Sequence, residues 1–259
     1  WYLRVSNTGT TVNVTYVTVQ HSNASGYKQI DASDPSNIDN DYNTNWLFAS
    51  LGGTISGIIY DTSETSPYAC LTNGNLTVYL RVNNSGTYSA TCDQDTGAWS
   101  VSDVIVSSGS AIFAYLSEGT VRGSTVLLSS GTTVDDLSIM QDRVLLRDDV
   151  NSSITNTEIA LGDTSDADDL LTISGGSYAT DSSYETHIQT GDVYAPGGNV
   201  TTGKLHIVGS YSGSSETLTL SGTGAGILRP LYVNGGSFSA PSTTIYTGSG
   251  ASDIESVKF

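Results

Sequence analysis

Apolar and polar residues alternate with a period of two along most of this chain, the spacing of strands whose side chains point to opposite faces. Residues 11–19 (TVNVTYVTV) place Val12, Val14, Tyr16 and Thr18 on one face and Thr11, Asn13, Thr15, Val17 and Val19 on the other. Apolar groups therefore fall on both faces, as in a strand buried on both sides. From Gln20 to Asn45 the chain turns polar, rich in Asp, Asn and Ser, and reads as loop. No stretch makes a convincing amphipathic helix.

From residue 50 to 146 the pattern becomes regular. Thr54–Tyr60 (TISGIIY) is a strand, and Leu76, Val78, Leu80 and Val82 alternate with Thr77, Tyr79 and Arg81. A loop from Asn83 to Thr87 precedes Tyr88, Ala90 and Cys92, so Val82 is expected opposite Tyr88 and Val78 opposite Cys92 on one apolar face. Further strands are expected at 99–106, 111–116, 120–128 and 134–146. About seven short strands with regular turn signals describe an antiparallel sandwich over 50–146.

After Asp148 short apolar pieces recur at 170–173, 186–188, 205–208, 217–220, 231–233 and 243–246, between Gly-rich turns. Three turns resemble each other: Gly175-Gly176-Ser177-Tyr178, Gly197-Gly198-Asn199-Val200 and Gly235-Gly236-Ser237-Phe238. Weak internal similarity of this kind suggests a β-solenoid-like body over 147–259, with a second sandwich as the alternative. The fold class is all-β.

Composition narrows the function. There are 26 acidic residues against 9 Lys plus Arg, a formal charge of −17, yet only 14% of residues are charged. No basic surface exists to neutralise phosphates, so nucleic acid is not an expected partner. No apolar run is long enough to span a bilayer. The chain starts at Trp1 without Met and ends in Val257-Lys258-Phe259, which reads as a processed product or a piece of something longer.

Thr54–Tyr60 (TISGIIY), with the hairpin after it and Thr96-Gly97-Ala98-Trp99-Ser100-Val101, resembles carboxypeptidase-regulatory-like modules of the Ig-like, pre-albumin-like kind. The wider string resembles large secreted bacterial repeat proteins of unknown function, in which segments like 139–144 (IMQDRV) and 194–200 (YAPGGNV) follow. The resemblance implies an Ig-like sandwich used as a spacer and carries no assigned activity. Joining the ends gives Ser256-Val257-Lys258-Phe259 followed by Trp1-Tyr2-Leu3-Arg4-Val5, which reads as one strand. Residues 1–49, a solenoid-like strand segment and acidic loop, would then continue the 147–259 body of a neighbouring copy. The expectation is a tandem array or head-to-tail homopolymer joined through Trp1, Tyr2, Leu3, Val5, Val257 and Phe259. The function expected is a structural subunit of an extracellular filament, stalk or cell-surface layer. The alternative is an adhesin or carbohydrate-binding module, and the enzymatic rival is a β-solenoid polysaccharide-degrading enzyme.

Candidate chemistry is sparse. Cys70 and Cys92 are the only cysteines, and their even count in an acidic, hydroxyl-rich chain fits an oxidising extracellular setting. They read as a disulfide contributing about 3 kcal/mol, with two buried thiols as the other reading. Asp163, Asp166, Asp168 and Asp169 form an oxygen-rich loop that suits calcium, without the Gly and terminal Glu of an EF-hand. The other reading is a solvated acidic surface. His187 and His206 lie in strand-like pieces and read as structural, and no G-x-S-x-G pattern is present, so no enzyme is expected. Asn13, Asn23, Asn75, Asn83, Asn151 and Asn199 begin glycosylation sequons. Trp46, Trp99, Tyr178, Tyr184 and Tyr211 are the rings that could stack on sugars, although Trp46 and Trp99 fit module interiors better.

Overall fold

The computed structural model describes residues 12–23, 30–32, 37–40, 42–44, 46–48, 52–63, 65–70, 76–83, 85–116, 121–131, 133–163, 170–222 and 230–248. The chain divides into two compact units, Trp1–Gly52 and Gly53–Phe259.

In the first unit β1 (Val12–Asn13), β3 (Ile30–Ala32) and β5 (Trp46–Phe48) form a parallel sheet. A second parallel pair joins β2 (Thr18–Val19) to β4 (Ile38–Asp39). The expected 11–19 strand is thus broken, with Tyr16 at φ 57° between its halves. The expected loop at 20–45 carries two strands. Their polarity hid them: they are two or three residues long, and asparagine side chains supply much of their hydrogen bonding. Asn37 Nδ2 donates to the carbonyls of Val14 (2.6 Å) and Ala32 (3.0 Å), and its Oδ1 accepts from Val17 N (2.9 Å). Asn43 does the same between Val19 O and Ser22 N, each at 2.8 Å.

The second unit begins with β6 (Gly53–Tyr60), β7 (Thr77–Val82), β8 (Ser85–Thr91), β9 (Ala98–Val104), β10 (Ser110–Leu116), β11 (Gly123–Ser129), β12 (Ile139–Met140) and β13 (Arg143–Asp148). β12, β6 and β9 make one sheet, and the order β8-β7-β10-β11 opens a second. Between the two sheets lies one apolar core. It takes Ile55 and Ile59 from β6, Val78 and Leu80 from β7, Trp99 from β9 and Ile112 and Leu116 from β10. The hairpin β7–β8 has a different register from that expected: Leu80 faces Tyr88 and Val78 faces Ala90. The chain reverses at Asn83, which adopts φ 45°. A shift of two residues keeps the apolar set on one face, because the side-chain period is two.

The expected boundary between 146 and 147 is not a boundary. β13 runs across it, paired in parallel to β11 on one side and to β16 (Glu185–Ile188) on the other. Beyond β16 the same sheet continues through β19 (Lys204–Ile207) to β22 (Leu231–Val233), eight strands in all. Every residue of β10 and β11 is buried. Ile112, Ala114 and Leu116 enter the first core, while Ala111, Phe113 and Tyr115 enter a second.

A short helix, α1 (Asn156–Gly162), covers that second core with Ile159. Thr155 caps it, and the Glu158 side chain returns to the Thr155 backbone, a capping box. The composition around it gave no apolar period long enough to signal a helix.

From Leu171 onward strands are short. The hairpin β14 (Leu171–Ser174) and β15 (Ser177–Thr180) turns on Gly175 and Gly176, at φ 57° and 78°. Then β17 (Val193–Tyr194), β20 (Ser210–Ser212) and β23 (Ser237–Ser239) pair in parallel register. So do β18 (Val200–Thr202), β21 (Thr217–Leu220) and β24 (Thr243–Tyr246), and so do β16, β19 and β22. Each strand lies on its counterpart from the preceding turn of chain. Like side chains stack inside: Tyr194 on Tyr211 at 5.7 Å between ring centroids, and Tyr211 on Phe238 at 5.5 Å. The repeated Gly pairs are explained by the same closeness. A Cβ on Gly198 would stand 2.1 Å from Gly176 O, and one on Gly236 would stand 1.8 Å from Gly209 O.

Cys70 and Cys92 form a disulfide inside the first core, their Cα atoms 6.4 Å apart across a separation of 22 residues. Replacing both by Ser is expected to cost about 3 kcal/mol, read as a lower urea midpoint. The wild type should show the same loss under reductant, and an identical midpoint with and without reductant would refute the stabilising role.

Candidate functional site

The parallel register of β13, β16, β19 and β22 sets four residues side by side at each position. Val144, Thr186, Leu205 and Leu231 align, as do Leu146, Ile188, Ile207 and Val233. The aliphatic members of both rows join the second core. Alternation sends the intervening residues to the other face. There Arg143, Glu185 and Lys204 align, and beside them Leu145, His187, His206 and Tyr232.

These side chains converge on one carboxylate. Lys204 Nζ is 2.6 Å from Glu185 Oε2. His206 Nδ1 is 2.9 Å and Arg143 Nε 3.4 Å from Glu185 Oε1. His187 Nδ1 stands 3.5 Å from the same oxygen, near enough to act on its charge but outside hydrogen-bond geometry. Only 9% of the Glu185 side chain is exposed. Burial pushes its carboxyl up, but the imidazoles of His187 and His206, then the charges of Lys204 and Arg143, outweigh it and hold the group well below the usual carboxylate range. The two rings meet edge to face at 4.4 Å, and Tyr232 lies 4.7 Å beyond His206. Lys204 Nζ sits 5.7 Å over the Tyr232 ring.

The chain before β13 closes over this face. Arg143 donates through Nη2 to Thr62 O (3.3 Å) and through Nη1 to Met140 Sδ (3.5 Å). An open cleft of about 460 Å³ remains beside the imidazoles, lined by Thr65, Met140, His187, Gln189, Thr190, His206, Val208 and Asn234. Two ring nitrogens, Nδ1 of His187 and Nε2 of His206, are buried without a hydrogen-bond partner.

Within single strands His187 and His206 read as separate structural residues, and nothing in the spacing singles out Glu185, Lys204 and Arg143 together. A signal was present in the strings Glu185-Thr186-His187-Ile188 and Lys204-Leu205-His206-Ile207, which share the order charge, any residue, His, Ile. In parallel register such a repeat puts opposite charges together and His on His.

Residues expected to carry function fall elsewhere. Asp163 is buried at the end of α1, where its Oδ2 accepts from Ile173 N at 3.1 Å. Asp166, Asp168 and Asp169 lie outside the described residues, as do Trp1, Tyr2, Leu3, Val5, Val257, Phe259 and Asn75. Of the other sequons, Asn13, Asn23 and Asn151 are exposed. Asn83 is exposed too, but its Oδ1 accepts from Ala111 N (2.8 Å), and Asn199 Oδ1 accepts from Thr217 N (2.9 Å). Trp99, Tyr178 and Tyr211 are core residues and present no ring to a sugar. Trp46 is half-buried, its Nε1 donating to Ser22 Oγ at 3.0 Å, and Tyr184 is half-buried beside the second core.

Compared with protein-family models, with characterised proteins and with solved structures, the chain matches none. The site is therefore judged on its geometry.

Glu185→Gln removes the carboxylate charge on which Lys204 and Arg143 converge. The expected cost is about 3–5 kcal/mol at neutral pH, the range for breaking a buried pair. Glu185 is ionised more readily in the folded state than in the unfolded one, so its stabilisation is complete above the unfolded value of 4.5. It fades as pH falls toward the depressed folded value. Urea melts at neutral pH and about two pH units below the unfolded value test this: the gap between variant and wild type should narrow in acid, and a constant gap would contradict it.

Proposed function

We propose that this chain is a building unit of an extracellular fibre, stalk or surface layer. In this reading residues 170–248 are the turns of a β-solenoid, and 53–148 form an Ig-like sandwich of the carboxypeptidase-regulatory-like kind fused into the solenoid's own sheet. The observation that carries it is the end of the stack. Among the described residues, β22, β23 and β24 are each the last strand of a parallel ladder, at the same end of the chain. Terminal strands present unpaired backbone groups that template another strand. Residues 12–48 supply matching chemistry, since their strands also pair in parallel. A second copy of this chain is the partner such an end fits, with the first unit of one copy stacking on the last turn of another. The Cys70–Cys92 disulfide agrees with an oxidising, extracellular location. No described helix is long and apolar enough to cross a membrane.

The second reading is a glycan-binding surface. It is favoured by Tyr42, 77% exposed and stacked on His21 at 4.9 Å between ring centroids, in the first unit. A glycan array decides it: binding that Tyr42→Ala abolishes supports this reading, and a blank array removes it.

The fibre reading predicts concentration-dependent growth beyond the 27.1 kDa monomer in light scattering, with elongated particles by electron microscopy. Ile245, 42% exposed on β24, is the place to block it. Ile245→Lys should abolish growth while leaving the melting temperature unchanged, because edge charges oppose strand addition. A monodisperse monomer at every concentration would overturn the proposal.

A further inference from the structure

We propose that Glu185, His187 and His206 form a binding site for a divalent transition-metal ion of the zinc class, open to the cleft beside them. One donor atom from each residue lies within 4.8 Å of the other two, and all three residues are buried. Zinc binds imidazole nitrogen and carboxylate oxygen at about 2.0–2.1 Å, so neighbouring ligands of a tetrahedral ion stand about 3.3 Å apart. The 3.5 Å from His187 Nδ1 to Glu185 Oε1 already matches that span, and the 2.9 Å from His206 Nδ1 needs to open by only a few tenths of an ångström.

The pattern of hydrogen bonds points the same way. Nδ1 of His187 is buried with no partner in the protein, which is costly for a polar atom and is relieved by an ion at that point. Lys204 occupies the far oxygen, Oε2, at 2.6 Å, while Oε1 faces the two imidazoles with Arg143 Nε 3.4 Å away. The fourth position opens to the cleft, where Gln189, Thr190 and Asn234 provide polar walls for a water or a ligand group. Three protein ligands and one open position make an exchangeable site.

Charge sets the strength. Lys204 and Arg143 both stand against the carboxylate and repel a cation, and Nε2 of His206 has no outer partner. Both weaken binding. The same argument gives a result that a purely structural cluster would not: Lys204→Met should tighten the metal site.

This inference does not depend on the fibre reading. The test uses the full chain, stripped with chelator and titrated with Zn²⁺ by calorimetry and with Co²⁺ by visible absorption. One equivalent per chain is expected, with the intense bands of tetrahedral, nitrogen-ligated Co²⁺. His187→Ala should weaken binding by about tenfold or more, and Lys204→Met should strengthen it by about tenfold or more. The Co²⁺ spectrum of the wild type keeps the proposal testable if a variant fails to fold. No binding, a weak six-coordinate oxygen-type spectrum, or wild-type affinity in folded His187→Ala would each overturn it, the last two by placing the ion among the acidic loops instead.

Discussion

β10 and β11 have no side that faces water, and the rest of the second unit follows from that constraint. A strand buried on both faces needs apolar partners above and below, each fully buried aliphatic or aromatic side chain contributing about 1.5–3 kcal/mol. On one side the partners come from β6, β9 and β12. On the other they come from α1 and from the strands that follow it. Neither half completes its core without this shared sheet, so the antiparallel part and the parallel stack form one unit. β13 is the junction of the two parts: it pairs in parallel both with β11, the last strand of the antiparallel part, and with β16, the next strand of the stack.

Parallel register has a second consequence, which the stacked region shows at every level. Equivalent positions of successive turns touch, so each ladder must be made of residues that tolerate their own kind. Tyr194, Tyr211 and Phe238 meet that demand with rings. Tyr178, Thr186, Thr202 and Thr180 meet it with a buried chain of hydroxyls, at 2.8, 2.9 and 3.1 Å, that satisfies each polar group. Charge cannot be repeated in this way, since like charges directly opposite repel. Where the ladder carries charge it alternates: Arg143, Glu185, Lys204.

The sequence displayed the all-β class and most strands of residues 53–148, because period-two alternation survives when one face is buried. It hid the strands of the first unit, where Asn37 and Asn43 replace apolar burial with hydrogen bonds between turns. α1 was hidden because seven residues hold fewer than two full apolar periods, and its only mark is the Thr155–Glu158 capping box. The boundary at 146/147 was misplaced because a change of texture reflects a change from antiparallel to parallel pairing, which does not require a new core. The charged cluster was hidden because its members are close only once Arg143, Glu185 and Lys204 are put in register, and periodicity within one strand says nothing about register between strands.

That cluster also answers a question the aliphatic core leaves open. The inward rows of this ladder are Val144 and Leu146, Thr186 and Ile188, Leu205 and Ile207, Leu231 and Val233. A slip of one residue is forbidden, since it would turn Glu185 and Lys204 into the core. A slip of two keeps aliphatic side chains on aliphatic side chains and costs the core little. On the opposite face the same slip carries Glu185 from Lys204 to the level of His206 and leaves an ammonium group without its carboxylate in a mostly buried place. An unpaired buried charge costs several kcal/mol, whereas the intact pair adds little net stability over an apolar replacement. The arrangement is therefore better explained by the registers it excludes than by the stability it adds. It also explains why, in a chain of net charge −17, two of only nine cationic side chains converge on a single acid.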